Sequence, residues 1–290
     1  MKNEAATGPR LAPGPSANTA ATEFDRQREK AIGRAALRLK IDRVVAIAIP
    51  LLIWQLAAYW VGKKWISSPI DVAQRIWFML LDGSLEMHAW ETFKEAVIGL
   101  LVGVALGIVL GIVLGLWRRL SDAVDPVVMG FYSLPRVSLA PLFIIWLGIG
   151  LLAKVALVAS MVVFVVLFNV REGVRSIDRE VIDAFRSMNA SRMAMLRHVI
   201  VPSLVPWLLT AVRIGIGMAL VGAVVGEMIG ASRGLGWYVN HTSGVYDMTG
   251  SITALVILML LAMIFNGVLG LIERKVLHWR RNSEASWMAN

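Results

Sequence analysis

No cysteine occurs among the 290 residues, which excludes disulfides and thiolate metal sites and leaves the redox compartment open. Charge is scarce, with Asp, Glu, Lys and Arg making up only 17% of the chain. The four histidines, His88, His198, His241 and His278, stand in separate segments without metal-ligand spacing, so they read as interface or surface residues and no metal site is expected. The opening stretch MKNEAATGPRLAPGPSANTAATEFD has no apolar core after its lysine, and so does not read as a cleavable signal peptide. What the chain does have is apolar: 57% of its residues, gathered in long blocks rather than alternating with polar ones. That composition argues for an integral membrane protein rather than a soluble domain. A span takes about 20 residues, because the hydrocarbon slab is roughly 30 Å thick and a helix rises about 1.5 Å per residue. Backbone groups in lipid must be satisfied internally, by a helix or a closed barrel, and these runs are too long and continuous for barrel strands. The expected fold class is therefore all-α, with six transmembrane helices.

The spans are expected at about 44–62, 96–116, 122–149, 152–170, 204–230 and 250–272, the third interrupted by Pro126, Pro135 and Pro141. Residues 1–42 read as a disordered tail running into a short basic helix at the membrane surface, 43–282 as the membrane domain and 283–290 as a second tail. SPIDVAQRIWFMLL, between the first two spans, reads as an amphipathic helix lying along the membrane, and 231–249 as a loop. The formal charge of +9 sorts by side rather than forming a nucleic-acid surface, so no nucleic-acid partner is expected. Six spans put both termini on one side; that side, with the 118–119 turn and the 171–200 block, holds 21 Lys and Arg against five on the other, which assigns it to the cytoplasm. Trp60, Trp65, Trp146 and Trp237 fall near the expected outer ends, and Trp117, Trp207 and Trp279 near the inner ones.

Gly99, Gly103, Gly107, Gly111 and Gly115 recur every four residues through the second span, and Gly222, Gly226 and Gly230 repeat the device in the fifth. Small residues at that spacing flatten one side of a helix so that another backbone can approach. The partner is either a helix of the same chain or a second subunit. The fourteen methionines read as core filler.

One polar island breaks the apolar pattern: DAFRSMNASRMAMLRHVIVP, residues 183–202. Read as helix, Ile182, Phe185 and Met188 form one apolar stripe and Leu196, Val199 and Ile200 another. Between them Asn189 suits a left-handed turn and Ser191 suits a helix cap, so the pattern predicts helix, tight turn, helix, ending at Pro202. This block resembles the EAA loop of permease subunits of ATP-binding-cassette importers, with the pattern E-A-A-x-x-x-G-x9-I-x-L-P. The matching positions are Asp183, Ala184, Phe185, Asn189, Val199, Val201 and Pro202, with the spacing kept throughout. Asp stands for Glu, Phe for the second Ala, Asn for Gly, and Val for both Ile and Leu.

The resemblance covers about residues 90–280, with the coupling loop within 171–202. SLPRVSLAPLFIIWLGIG (133–150), EGVRSID (172–178) and GEMIGASRGLG (226–236) look like the branch that imports nitrate, sulfonates, taurine and related small compounds. It implies a type I importer permease in a bacterial inner membrane, working as one of a pair, most simply a homodimer. Two cytoplasmic ATPase subunits and a periplasmic or lipid-anchored substrate-binding protein would complete the assembly. The coupling loop, here Asp183, Ala184, Phe185, Asn189, Ala190, Ser191 and Pro202, would sit on the ATPases, whose closure drives alternating access. The phosphate loop G-x-x-x-x-G-K-[ST] does not occur in the chain, so ATP and Mg belong to the partner ATPase, this chain binds no cofactor, and it is not itself an enzyme.

Arg136 is the most informative ionisable residue, lying mid-span between Pro135 and Pro141. It either faces the pathway and attracts an anion, or bonds carbonyls freed by the prolines. Glu227 and Arg213 in the fifth span, and Ser133 and Ser138 beside the break, are further pathway candidates with structural alternatives. The expected cargo is a small anion of the sulfonate, taurine or nitrate kind; the alternatives are a pyrimidine-type vitamin precursor or another small solute, and an ion-gradient-driven transporter. The gradient-driven reading would more often show paired intramembrane carboxylates, where Glu227 is the one carboxylate deep within the spans as drawn, Asp122 and Asp125 lying at the start of the third. A membrane-embedded enzyme would show a cluster of His, Asp or Glu at one depth, which the spans as drawn also lack.

Overall fold

The computed structural model describes residues 38, 41–42, 44–62 and 65–276. Most of the basic tail and all of 283–290, together with Lys63, Lys64, His278 and Trp279, lie outside the described residues. The chain divides after Val61 into two units. In the first, the apolar helix α1 (Val44–Val61) has the length of a span.

The second unit begins with α2 (Pro69–Leu81), the short helix foreseen before the second span. Ser68 caps it, its hydroxyl accepting from the Asp71 N–H at 3.1 Å, with Pro69 at the first helical position. Gly83, at φ 75°, turns the chain into α3 (Ser84–Leu116). At that turn the hydroxyl and backbone N–H of Ser84 hold the Asp82 carboxyl below the usual carboxylate range. The expected second span, 96–116, is thus the inner part of a 33-residue helix. After Gly83 neither proline nor a further glycine intervenes before Gly99, and Glu, Met, Ala and Lys sustain helix outside the apolar slab.

The glycine ridge of α3 meets α6 (Leu151–Arg175), and these two helices share the most extensive interface among the described residues. Gly99, Gly103, Gly107, Gly111 and Gly115 face Val158, Val162, Val166, Val170 and Val174 in register. A Cβ at any of the last four glycines would come within 2.6–2.7 Å of the facing valine Cβ. On its other side α6 receives α9 (Val201–Gly230), where Gly222 lies against the Val158 Cα and Met161, Gly226 against Lys154 and Gly230 against Ile144. The close approach therefore lies within one chain, and α6 is the buried centre of the bundle.

The third span is bent. α4 (Arg118–Ser133) carries Pro126 within it and ends before Pro135; a 3₁₀ turn (Arg136–Leu139) and α5 (Ala140–Leu147) then leave at 81°. Five described helices are long and apolar enough to cross a membrane, and this bent pair supplies the sixth span. Two expectations need correction. Pro202 does not end the polar block, because a π turn (Leu196–Ile200) carries the chain straight into α9. The wider turn leaves room for a ring that has no N–H to donate, and proline is tolerated in a helix's first turn. The loop at 231–249 contains a helix, α10 (Leu235–Gly244), before α11 (Met248–Val276) completes the bundle.

Candidate coupling surface and pathway residues

The polar island folds as its pattern predicts up to its last turn. α7 (Arg179–Ser187) closes with the Ala190 N–H donating to the Phe185 carbonyl at 3.1 Å. Asn189 takes the left-handed turn at φ 53°, a conformation asparagine tolerates better than most residues. The Ser191 hydroxyl then caps α8 (Arg192–Met195), accepting from the Ala194 N–H at 3.1 Å. Ile182, Phe185 and Leu196 are half-buried, and Val199 and Ile200 are buried. Met188 departs from the expected stripe and is 78% exposed. Val181, Ala184 and Met193 are exposed as well, as are Asp183 and Asn189. A cavity of about 680 Å³ opens between the α8–π turn and the C-terminal end of α3, lined by Trp117, Met193, Met195 and Leu196 among others.

The N-terminal half of the broken span is tied to α6. Arg171 pairs with Asp125 at 2.6 Å and Arg175 donates to Ser121 at 2.7 Å. At the break, Arg136 donates to the carbonyls of Tyr132 (3.3 Å) and Phe131 (3.5 Å). Its guanidinium lies over the rings of Phe164 and Tyr132, 4.5 Å and 5.3 Å from their centroids. Ser133 and Ser138 donate to the carbonyls of Met129 and Pro135 at 2.9 Å and 2.6 Å. Arg213 pairs with Glu273 of α11 at 2.5 Å.

Glu227 is in different company. It is fully buried near the end of α9 that leads into α10, accepting from the Thr92 hydroxyl at 2.7 Å and the Gly236 N–H at 2.6 Å. The Leu235 N–H donates to Thr92 at 2.8 Å and the Gly234 N–H to His88 Nδ1 at 3.1 Å, so the start of α10 is held by α3. Beside them Lys154 of α6 bonds Glu95 at 2.5 Å, with both residues buried. Trp237 stacks between His88 and His241, at 5.3 Å and 5.0 Å. The spans as first drawn therefore missed a polar cluster. Glu95 lies inside the extended α3, so Glu227 is not the only buried carboxylate, and His88, Thr92 and Glu95 line the stretch of α3 that meets Gly234, Leu235 and Lys154. The signal was in the sequence: His88, Thr92 and Glu95 continue the face of the glycine ridge outward from Gly99 at helical spacing. Among the described residues no group of His, Cys, Asp or Glu is arranged to hold a metal ion.

In the second unit, long apolar helices packed around α6, one bent span and a helix–turn–helix running directly into α9 describe a helical membrane subunit. The chain belongs to the family described as binding-protein-dependent transport system inner membrane component, whose model matches residues 103–278. It is similar to the riboflavin transport system permease protein of Chloroflexus aurantiacus, with 38% identity over 81% of this chain and 90% of that one. It resembles the formylaminopyrimidine transport permease protein of Halalkalibacterium halodurans at 30% identity, over 80% and 92% of the two chains. An Escherichia coli K12 permease provisionally assigned to aliphatic sulfonates is 32% identical over 78% and 87%. Among solved structures, one of the inward-facing MetNI methionine ABC transporter matches with TM-score 0.61 and 25% identity, over 68% of this chain and 97% of that one. The fold is that of type I ABC importer permeases, and the chain is a membrane-embedded transport subunit of that family.

Proposed function

We propose that this chain is the permease through which an ATP-driven importer of a bacterial inner membrane passes a small organic solute into the cytoplasm, with both of its own termini on the cytoplasmic side. It works as one of two copies, above two ATPase subunits that carry ATP and Mg, and below a periplasmic or lipid-anchored binding protein that delivers the solute. The observation that carries this reading is the continuity of α7, the Asn189 turn, α8 and α9. A push on the exposed face of Ala184 and Met188 passes through the Asn189 turn into α8, and from there through the π turn along α9 to the far end of the bundle. Asp183, Ala184, Phe185, Asn189, Ala190, Ser191 and Pro202 form this coupling element.

The solute pathway runs past the break at Ser133–Ser138. Irregular backbone at membrane depth is tolerated only against protein or water, and in a single copy most of this segment is exposed. A second copy and a watered path between the two would cover it. For the solute, Arg136 at the break favours an anion such as a sulfonate. A specific observation favours a second reading, an aromatic heterocycle: the relatives named for riboflavin and formylaminopyrimidine, and the rings of Tyr132, Phe164 and Phe168 gathered at the same break.

The test is reconstitution of the full chain in liposomes with its neighbouring ATPase and binding protein, offered taurine, an alkanesulfonate, riboflavin and a formylaminopyrimidine. The expected result is uptake that stops when ATP hydrolysis is blocked and is indifferent to ionophores. Uptake that survives an inactive ATPase but collapses with an ion gradient overturns the reading.

A further inference from the structure

The uncharged run of α3 stops at Leu116 and is followed at once by Trp117, Arg118 and Arg119. A tryptophan backed by arginines is the pattern of a helix end at the level of the lipid headgroups. All four residues are exposed.

Beside that helix end a cavity of about 240 Å³ opens where α3, the end of α6, α7 and the π turn meet. Its walls are apolar, from Gly115, Val174, Ile177 and Ile182 among others, and its charged lining is two arginines, Arg118 and Arg175. Both guanidiniums have donors free. Arg175 donates from Nη2 to the Ser121 hydroxyl at 2.7 Å, while its Nε is buried without a partner. Arg118 has no hydrogen bond or ion pair among the described residues. The carboxylates one helical turn away do not neutralise them. Asp122 and Glu172 pair with neither arginine, and Asp125 is held by Arg171 at 2.6 Å.

Two guanidiniums without counterions select an anion, and their planar forks suit the oxygens of a phosphate. The walls decide what that phosphate is attached to. The larger cavity beside the α8–π turn adjoins this one, sharing Leu116, Met195 and Ile200, and continues past Trp117 and Met193. An apolar trough leading away from paired arginines suits an acyl chain. Basic pockets between membrane helices are also where anionic lipid headgroups bind.

We propose that the adjoining cavities hold one anionic phospholipid, its phosphate between Arg118 and Arg175 and an acyl chain along Leu116, Met195 and Ile200. The lipid fills the wedge between α3 and the coupling element, meeting α6 at Val174 and α7 at Ile182. The site requires only that α3 spans the bilayer, and on the orientation proposed above it draws on the cytoplasmic leaflet.

Native mass spectrometry of the full chain, released from nanodiscs of phosphatidylcholine and phosphatidylglycerol, tests this by identifying the lipid that stays bound. The expected result is one phosphatidylglycerol, retained in preference to phosphatidylcholine. Arg118→Gln changes an exposed residue, and is expected to fold normally and to lower that retention about fivefold, the contribution of one arginine near an anionic lipid. Adding Arg175→Gln lowers it further. Arg119→Gln is the control, since Arg119 adjoins Arg118 but does not line the cavity. Inorganic phosphate added to the nanodiscs is expected to leave the lipid in place, and the complex with the ATPase is expected to keep it. Retention without preference for phosphatidylglycerol, or equal losses in Arg119→Gln and Arg118→Gln, would overturn the proposal. So would displacement by inorganic phosphate, which makes the site one for a soluble anion, or stripping by the ATPase, which makes the groove that partner's. Failure to form any complex with the ATPase tells against the transport reading alone, so the two readings fail separately.

Discussion

Gly107 of α3 and Val166 of α6 stand so close that a methyl group on the glycine would lie 2.6 Å from the valine Cβ and 2.8 Å from the Val163 carbonyl. The obstacle is branched side chain and backbone, neither of which can swing away. Gly107→Ala is expected to push α3 off α6 and lower stability by about 1–3 kcal/mol, the range for overpacked cores. Gly217→Ala is the control, since its Cβ would meet nothing within 4 Å. There the helix-propensity gain, up to about 1 kcal/mol, is the only term. Thermal unfolding in the same detergent separates the two; equal midpoints would show that the ridge is not close-packed.

The coupling surface makes a prediction about association rather than folding. Ala184→Arg adds bulk and charge to an exposed position on α7, and Asn189→Pro asks for φ near −65° where the chain has 53°. Both variants are expected to insert normally and to lose at least about 2 kcal/mol of ATPase binding, roughly thirtyfold, as for a central interface residue. Asn189→Gly, which suits the left-handed turn, is expected to retain it. Co-purification with the ATPase is the measurement, and unchanged recovery of Ala184→Arg would remove α7 from the contact.

Arg136 bonds two carbonyls and two rings of its own neighbourhood, yet sits at the break where the pathway is proposed. Arg136→Met is expected to lower uptake of an anionic solute while leaving assembly with the ATPase intact. Arg136→Lys keeps the charge without the planar fork, and should restore part of the anion uptake. Normal uptake by Arg136→Met would leave the residue only its structural contacts.

Removing the one cation of the buried cluster isolates an anion. Lys154→Met is expected to cost about 3–5 kcal/mol, the usual loss when one partner of a buried pair is deleted. Lys154→Met combined with Glu95→Gln removes the uncompensated charge as well, and should recover part of that loss. Thermal unfolding of both proteins checks the cycle, and additive destabilisation would mean that the two side chains are not coupled.

Much of this was legible in the amino-acid order because it depends on local periodicity. Glycines four apart, a left-handed-tolerant Asn189 followed by a Ser191 cap, and prolines placed inside a span each carry their consequence within a turn or two of helix. The same periodicity carried His88, Thr92 and Glu95 onto the ridge face, but the assumption that helix ends where the apolar slab ends concealed them. Pro202 was misleading for a related reason. A proline stops a helix it follows but fits the first turn of one it begins, and local sequence does not say which helix it belongs to.

By itself the sequence determined a six-span helical membrane protein, a smooth glycine face on the second span and a helix–turn–helix outside the lipid, since hydrophobic length and helical period suffice for each. Only the tertiary structure decided that the glycine face serves α6 of the same chain, that α8 flows into α9, that the third span bends by 81°, and that Lys154 meets Glu95 across 59 residues. Those outcomes depend on which helix lies beside which. A repeat of small residues admits any partner with a matching ridge, and a buried charge acquires its counterion only when the helices are packed.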